Sequence, residues 1–298
     1  MIQRVLQVLG GMNQGGVENF LMNLYRNIDK SKIQFDFLVN RQGIFDEEIK
    51  TMGGKIYYIP ALQEIGQAKY EKILDKFFAE HKEYKIVHSH LNQVTGLILE
   101  RAKRANIPVR ISHSHNSKSP KNIIIRKYKS YLGKKIRENA NIYFACSNSA
   151  AKWLYKGYSE KAIIIKNAIN VEKFMYNEEI RKKTRKLLNI DEKTLLIGHV
   201  GRFDKQKNHI FLLKVFKEIV TKNKNCVLLL VGDGKLKGKI VKMIKKYKLE
   251  NNVKLLGIRK DVNDIFQALD LMIFPSLYER ITSNTYRSTG IRSTNLCF

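Results

Sequence analysis

Residues 198–208 read Gly-His-Val-Gly-Arg-Phe-Asp-Lys-Gln-Lys-Asn, and this stretch decides the fold of the second half of the chain. It follows the apolar pattern of a buried strand and opens a helical pattern. Its turn carries two cations, Arg202 and Lys207. Backbone amides at a helix N-terminus and fixed positive charges together hold an anion. The stretch therefore predicts a strand–turn–helix unit with a pocket for a diphosphate.

Strand-like runs alternate with helical patterns on both sides of this stretch, which predicts βαβ crossovers and parallel sheets covered on both faces. The first series has predicted strands at 4–9, 33–39, 55–59, 85–88, 109–112, 142–146 and 162–165, and predicted helices at 17–28, 68–81, 95–105, 126–139 and 149–156. The second has strands at 195–200, 226–231, 253–256 and 271–274, and helices at 210–220, 236–247 and 262–269. We predict an N-terminal domain of residues 1–175 and a C-terminal domain of residues 176–298, with a charged, weakly apolar separating stretch at 178–186.

The composition is that of a folded protein. The chain has 298 residues, 44% of them hydrophobic, which is enough for two domains of ordinary size. No apolar run approaches the roughly 20 residues of a membrane-spanning helix, and the N-terminal residues lack a signal-peptide pattern. The three cysteines have no metal-like spacing, which argues against a disulfide framework or a zinc site. We therefore expect a cytoplasmic protein.

The net charge of +28 leaves three interpretations open. Nucleic acid is one partner that needs clustered lysine and arginine. An anionic membrane surface is another, and it attracts basic residues by about 1 kcal/mol each. The third interpretation is a lysine-rich solvated surface. The lysines are spread over nearly every predicted helix without a nucleic-acid motif, so nucleic acid is the least favoured of the three.

A glycine-rich loop at 10–16 joins the first predicted strand to the first predicted helix, and it contains Gly15 and Gly16. Glycine lets a ligand approach the backbone closely, and the helix dipole favours an anion. The spacing is not the GxGxxG of dinucleotide-binding proteins. A tight turn without a ligand is the alternative interpretation.

Histidines end two successive predicted strands, His88 and His90 on one, His113 and His115 on the next. Four imidazoles at strand ends suggest a metal site, but no acidic residue accompanies them at ligand spacing, so no metal is expected. One histidine at a strand end is usually a structural group. Two pairs at the carboxyl ends of such strands favour a functional site.

Two more segments complete a recognisable pattern. Residues 274–279 read Phe-Pro-Ser-Leu-Tyr-Glu, and residues 232–234 form a Gly-Asp-Gly turn after a buried strand pattern. With residues 198–208 they resemble the donor-binding half of GT4-type glycosyltransferases of capsular and extracellular polysaccharide biosynthesis. The resemblance covers nearly the whole chain up to Glu279. It implies an α/β GT-B fold, two doubly wound Rossmann-like domains facing a cleft, here with the second incomplete.

The resemblance also implies roles for single residues. Arg202 and Lys207 would hold the donor diphosphate and stabilise the leaving nucleotide. His115 would face the transferred sugar and the donor phosphate, and Glu279 would contact hydroxyls of the donor sugar.

The resemblance implies weaker or less specific roles for several other residues. Those implied to border the donor are Gly15, Gly16 and Gly232, and the weaker site candidates are His90, His113 and Asn167. Asn167 lies in a segment similar to the Pro-Asn-Gly crossover of the family, with Lys166 and Ala168 in place of the proline and glycine. We interpret it as structural more than catalytic.

The implied reaction moves a sugar, with retention of configuration, from a nucleotide-diphosphate donor such as a UDP-sugar. The acceptor would be a growing glycan or a lipid-linked oligosaccharide at the inner face of the cell membrane. Such a transferase needs no cofactor and no metal, in keeping with the absence of an Asp-x-Asp motif. The basic first domain would then dock on anionic lipid.

The sequence after Glu279 departs from the family. The family's Glu-x7-Glu motif places a second glutamate at position 287, where this chain has Arg287. A choice of codons exists for which loss of one A after Glu279 restores that glutamate and the family pattern. We therefore predict a truncated or frameshifted ending that weakens donor binding and activity.

Two functions from other classes stay open at this point. One is an inactive fragment that at most binds a nucleotide sugar, which donor binding without turnover would identify. The other is a basic nucleic-acid-binding protein, which a steep salt dependence of DNA or RNA affinity would identify.

Overall fold

The structure, a computed structural model, describes residues 2–13, 15–115, 122–166, 175–259 and 261–277, and the strand formed by residues 294–297. The chain divides into two compact units, residues 1–168 and 169–298. Each unit is built on one parallel β-sheet, as the alternating pattern predicts. This division lies a few residues before the predicted boundary at residue 175.

The first unit holds a seven-stranded parallel sheet with the strand order β3-β2-β1-β4-β5-β6-β7. Its strands are β1 (Gln3–Leu9), β2 (Ile33–Val39), β3 (Ile56–Tyr58), β4 (Ile86–Ser89), β5 (Val109–Ser114), β6 (Ile142–Ala145) and β7 (Ile163–Ile164). Its helices are α1 (Gly16–Asn27), α2 (Asp46–Thr51), α3 (Leu62–Ile65), α4 (Gln67–Glu80), α5 (Thr95–Arg104), α6 (Ile123–Asn139) and α7 (Asn148–Leu154). The short α2 and α3 were not predicted from the sequence.

The central strand β1 sends side chains to both faces of this sheet, since successive residues of a strand alternate. Val5 and Leu9 belong to the apolar cluster that contains residues of α1. Leu6 and Val8 belong to the cluster that contains residues of α4 and α5. Burial on both faces explains why the strand is a near-continuous apolar run rather than an alternating one. The exception is Gln7, which is buried on the α1 side.

The second unit has a five-stranded parallel sheet with the order β10-β9-β8-β11-β12. The strands are β8 (Leu195–Val200), β9 (Cys226–Val231), β10 (Val253–Gly257), β11 (Leu271–Phe274) and β12 (Thr294–Cys297). The helices are α8 (Glu178–Leu187), α9 (His209–Lys222), α10 (Lys237–Lys246) and α11 (Val262–Ala268). The sequence pattern indicates no strand after Phe274, whereas the structure pairs β12 with β11.

The stretch at 178–186 is not a separator, and that interpretation was wrong. It forms α8, which packs on α11 within the second unit. One of the arginines that make it look solvated is buried: Arg185 has no exposed surface and donates to the carbonyls of Ala268 and Asp191 at 2.9 and 2.8 Å. Asp270 accepts from Arg181 at 2.6 Å and from Arg185 at 3.3 Å. Charge pairing thus replaces apolar contact at this interface.

Candidate active site

The cations Arg202 and Lys207 lie at the topological switch point of the second sheet. In the strand order, β9 lies on one side of β8 and β11 on the other, so the loops after β8 and β11 leave the sheet in different directions. Ligands of doubly wound folds bind in the crevice that such a reversal creates. Residues 201–208 follow β8 and residues 275–277 follow β11, which brings the two predicted donor segments to this crevice.

Hydrogen bonds join the two segments directly. Asn208 donates through its side-chain amide to the carbonyl of Pro275 at 3.1 Å. The amide of Leu277 donates to the carbonyl of Gln206 at 3.0 Å. Asn208 has a φ of 52°, the left-handed conformation that asparagine tolerates better than most residues, and it caps the start of α9. The sequence did not single out Asn208, although it holds the two loops together.

The Gly-Asp-Gly turn packs against the same loop. A side chain at Gly232 would lie 2.2 Å from the carbonyl oxygen of Gly201, and Gly232 has a φ of 137°. The amide of Phe203 donates to the carbonyl of Asp233 at 2.9 Å. Only glycine therefore fits at Gly232 without displacing the loop that carries Arg202. The loops after β8, β9 and β11 form one surface, called here the diphosphate cradle (residues 201–208, 232–234 and 275–277).

The charges of this cradle are arranged by one carboxylate. Asp204 accepts from the Arg202 guanidinium at 2.9 Å and from the backbone amide of Lys207 at 3.1 Å. Most of the Arg202 side chain is exposed, and Lys207 is half-buried with its aliphatic stem beside Gly201. The exposed Arg202 guanidinium supplies positive charge, and the first turn of α9 supplies the positive end of a helix dipole. Both favour the binding of an anion here.

A neutral imidazole lies under this turn. His209, the first residue of α9, has no exposed surface and packs edge-on against the Phe203 ring at 4.6 Å. Burial, followed by the neighbouring His199, lowers the pKa of His209 to about 3. The positive charge near the cradle at neutral pH therefore comes from arginine and lysine and not from His209.

The first unit collects its histidines into one buried row. His88 and His90 follow Ile86 at alternate positions, and His113 and His115 follow Ile111 in the same way, so all four lie on the α1 face of the sheet. His88 Nε2 and His113 Nδ1 are 3.1 Å apart, and His90 Nδ1 and His115 Nε2 are 2.8 Å apart.

Burial keeps the inner members of this row uncharged. It lowers the pKa of His88 to about 3 and the pKa values of His90 and His113 well below 6.5, with their histidine neighbours as the second cause. Phe20 of α1 covers the row, with its ring 5.6 Å from the His113 ring and 6.0 Å from that of His115. His88, His90 and His113 are therefore neutral imidazoles, and the Phe20 ring packs against the outer side of the row.

Three of these residues meet the spacing of a metal site. The ring nitrogens of His88, His90 and His113 lie within 4.8 Å of one another, in a range where a transition metal can bind. The same rings are engaged in hydrogen bonds, His88 with His113, and His90 with His115 and Gln7. This pairing favours a hydrogen-bonded network over a ligand set, and the expected absence of a metal stays a prediction.

The glycine-rich loop at 10–16 is less suited to an anion than the loop after β8. Gly15 caps α1, and a side chain added at Gly15 would meet the carboxylate of Glu18. An anion at this helix start would therefore compete with the Glu18 carboxylate for the same helix dipole. Gly16 is the first residue of α1 and has open space around its Cα. The predicted Asn167 and Glu279 lie outside the described residues.

The sequence comparisons identify the family. The sequence model described as Glycosyltransferase Family 4 matches residues 14–173, and the one described as Glycosyl transferases group 1 matches residues 180–284. A relative, the putative glycosyltransferase EpsF of Bacillus subtilis (strain 168), is 35% identical over 93% of this chain and 74% of its own length. This chain belongs to glycosyltransferase family 4. It is a transferase, as the resemblance implies.

A second relative of this family 4 glycosyltransferase has an informative name. It is the UDP-Gal:alpha-D-GlcNAc-diphosphoundecaprenol alpha-1,3-galactosyltransferase of Escherichia coli, 26% identical over 87% of this chain and 72% of its own length. Among solved structures, Anabaena HepE in complex with UDP and glucose superposes with a TM-score of 0.82 at 16% identity. The match covers the whole chain and 80% of HepE, which confirms the predicted GT-B fold.

Proposed function

We propose that this glycosyltransferase moves a sugar from a UDP-sugar to a growing, lipid-linked glycan, with retention of configuration, in surface polysaccharide assembly. The observation that carries the proposal is the diphosphate cradle, where two cations and the start of α9 meet at the switch point of the second sheet. The E. coli relative is named for a UDP-sugar donor and a diphosphoundecaprenol acceptor, which supports both substrate classes.

In the proposed reaction Arg202 and Lys207 bind the donor diphosphate and stabilise the charge that grows on it as the sugar leaves. These cations do here what a metal ion does in other transferases. The acceptor hydroxyl attacks from the face that the diphosphate leaves, assisted by a phosphate oxygen that takes its proton. We propose that His115 contacts the transferred sugar, as the family resemblance implies.

A transfer assay tests this function. The purified chain is given UDP-sugars one at a time, with a diphosphate-linked oligosaccharide as acceptor, with and without EDTA. We expect UDP release and a product with the anomeric configuration of the donor, unaffected by EDTA. An inverted product or loss of turnover in EDTA would contradict the mechanism. UDP-sugar binding without turnover would instead identify an inactive form.

We also propose that the first unit docks on an anionic membrane through α6. This helix carries an exposed apolar stripe at i, i+4 and i+7, formed by Ile124, Tyr128 and Tyr131, of which Ile124 is 74% exposed. The other flank of α6 lines a groove of about 550 Å³ with six cations and one acid, Glu138. The six cations are Arg126, Lys127, Lys129, Lys134, Arg137 and Lys156. An apolar stripe next to basic side chains is the pattern of a helix that lies in a membrane interface.

No helix among the described residues is long and apolar enough to cross a membrane. The proposed contact is therefore with the membrane surface, where basic residues add about 1 kcal/mol each on anionic lipid. It would bring a lipid-linked acceptor to the enzyme.

Vesicle binding tests the docking surface. We expect the chain to sediment with vesicles that contain phosphatidylglycerol, and to release them at high salt. The double variant Arg126→Glu, Lys127→Glu should bind at least about tenfold more weakly. Lys222→Glu with Lys224→Glu, two exposed lysines at the end of α9 and in the loop after it, makes the same charge change in the second unit as a control. Equal losses in both double variants, or binding indifferent to lipid charge, would overturn the proposal.

A further inference from the structure

Gln7 is the polar residue of β1 that the apolar pattern does not explain. Gln7 is 1% exposed and lies on the same face of the sheet as the histidine row. In the pairing of β1 with β4, Gln7 lies opposite His88. Its Oε1 atom lies 3.0 Å from Nε2 of His90. A buried amide in a strand is retained only where its hydrogen bonds are satisfied. Here the partner is an imidazole of the row.

The hydrogen bonds assign the protons along this line. With the Gln7 amide oxygen facing His90, this contact needs a donor on the ring, so it assigns a proton to Nε2 of His90. Burial lowers the pKa of His90 well below 6.5, so the ring is neutral and its Nδ1 holds a lone pair. That lone pair faces His115 Nε2 at 2.8 Å, so His115 donates from Nε2. The amide of Gln7 therefore decides which nitrogen of His115 is protonated.

We propose that Gln7 and His90 are positioning residues that fix the proton of His115 on Nε2. In the neutral form of His115, Nδ1 then carries a lone pair and no proton, so this atom can accept a hydrogen bond but cannot donate one. The inference rests on the proposed function for the role of His115. The proton assignment rests only on the contacts within the first unit.

Histidine NMR separates the two parts of this inference. The full chain is labelled with 15N-histidine, and His115 is assigned by its absence in His115→Gln. Long-range 1H–15N correlation distinguishes the two neutral tautomers of an imidazole. We expect the Nε2–H form for His115 in the wild type, and a mixture of tautomers in Gln7→Met, which keeps the volume and removes the acceptor.

The matched control is Gln34→Met. Gln34 is another buried glutamine, on β2, whose amide accepts from Tyr25 and donates to the Met52 carbonyl, away from the histidines. Gln34→Met should therefore leave the His115 NMR signals unchanged. In the transfer assay, Gln7→Met should lower kcat by about tenfold or more with the donor KM within about twofold.

The NMR spectrum and the transfer assay can each contradict a different part of the inference. A wild-type His115 protonated on Nδ1, or the same tautomer in wild type and Gln7→Met, overturns the proton assignment whatever the activity. The first of these results needs only the spectrum of the wild type, so the proton assignment can be tested even if Gln7→Met does not fold. The expected tautomer shift in a chain without any turnover supports the assignment and contradicts the proposed function instead.

Discussion

Replacing Lys207 or Arg202 with methionine is expected to lower the sugar-transfer rate by about 10²–10³-fold each. Methionine keeps most of the unbranched apolar stem of either side chain and removes its charge, so the loop should keep its conformation. The lost charge is one that stabilises the leaving diphosphate, and removing one such preorganised group costs about this much in kcat. The measurement is kcat in the transfer assay for each variant.

Lys205→Met is the matched control for these substitutions. Lys205 is exposed in the same loop and undergoes the same chemical change. Its rate should stay within about twofold of the wild type if Arg202 and Lys207 act individually, because the charge of an exposed lysine is screened by water and salt. A loss in Lys205→Met equal to that in Lys207→Met would mean that the loop acts only through its net charge.

Replacing Asp270 with alanine is expected to destabilise the second unit by about 3 kcal/mol. The Asp270 carboxylate pairs with the fully buried Arg185 and accepts from the backbone amide of Leu196 at 2.7 Å. Removing Asp270 takes the nearer carboxylate from the fully buried Arg185 guanidinium, whose remaining acidic partner, Glu192, lies at 3.6 Å. Chemical denaturation followed by circular dichroism measures the change in the free energy of unfolding.

Glu178→Ala is the control for this substitution. It removes an ion pair on the same helix, that with Lys182 at 2.8 Å, in which both side chains are mostly exposed. Exposed pairs at this spacing contribute only about 0.3–0.5 kcal/mol. A loss in Asp270→Ala as small as that in Glu178→Ala would mean that α8 is held mainly by apolar contacts.

Much of the fold could be predicted from period and turn chemistry alone. The strand runs that end at Leu9, Val200 and Phe274 are apolar because both faces of a parallel sheet are covered. The charged α8 could not be predicted as a packed helix, because its buried residues are Thr184 and Arg185, and Asp270, the partner of Arg185, is distant in the sequence. A local pattern does not reveal an ion pair between residues so far apart.

The candidate site divides in the same way. Arg202 and Lys207 follow from the strand–turn–helix pattern and Gly232 from the family resemblance, and the structure brings them into one cradle. Gln7 could have been recognised from the sequence, because it is a polar residue inside an apolar strand pattern. Asn208 left none, since its role depends on the carbonyl of Pro275, which the fold alone brings near.

The most direct test of this account is a calorimetric titration of UDP into the full chain without any divalent cation. We expect saturable binding that is lost in the double variant Arg202→Met, Lys207→Met and retained in Lys205→Met. Binding that requires magnesium or manganese, or that is equal in wild type and double variant, would contradict the claim that the chain's own cations hold the donor diphosphate.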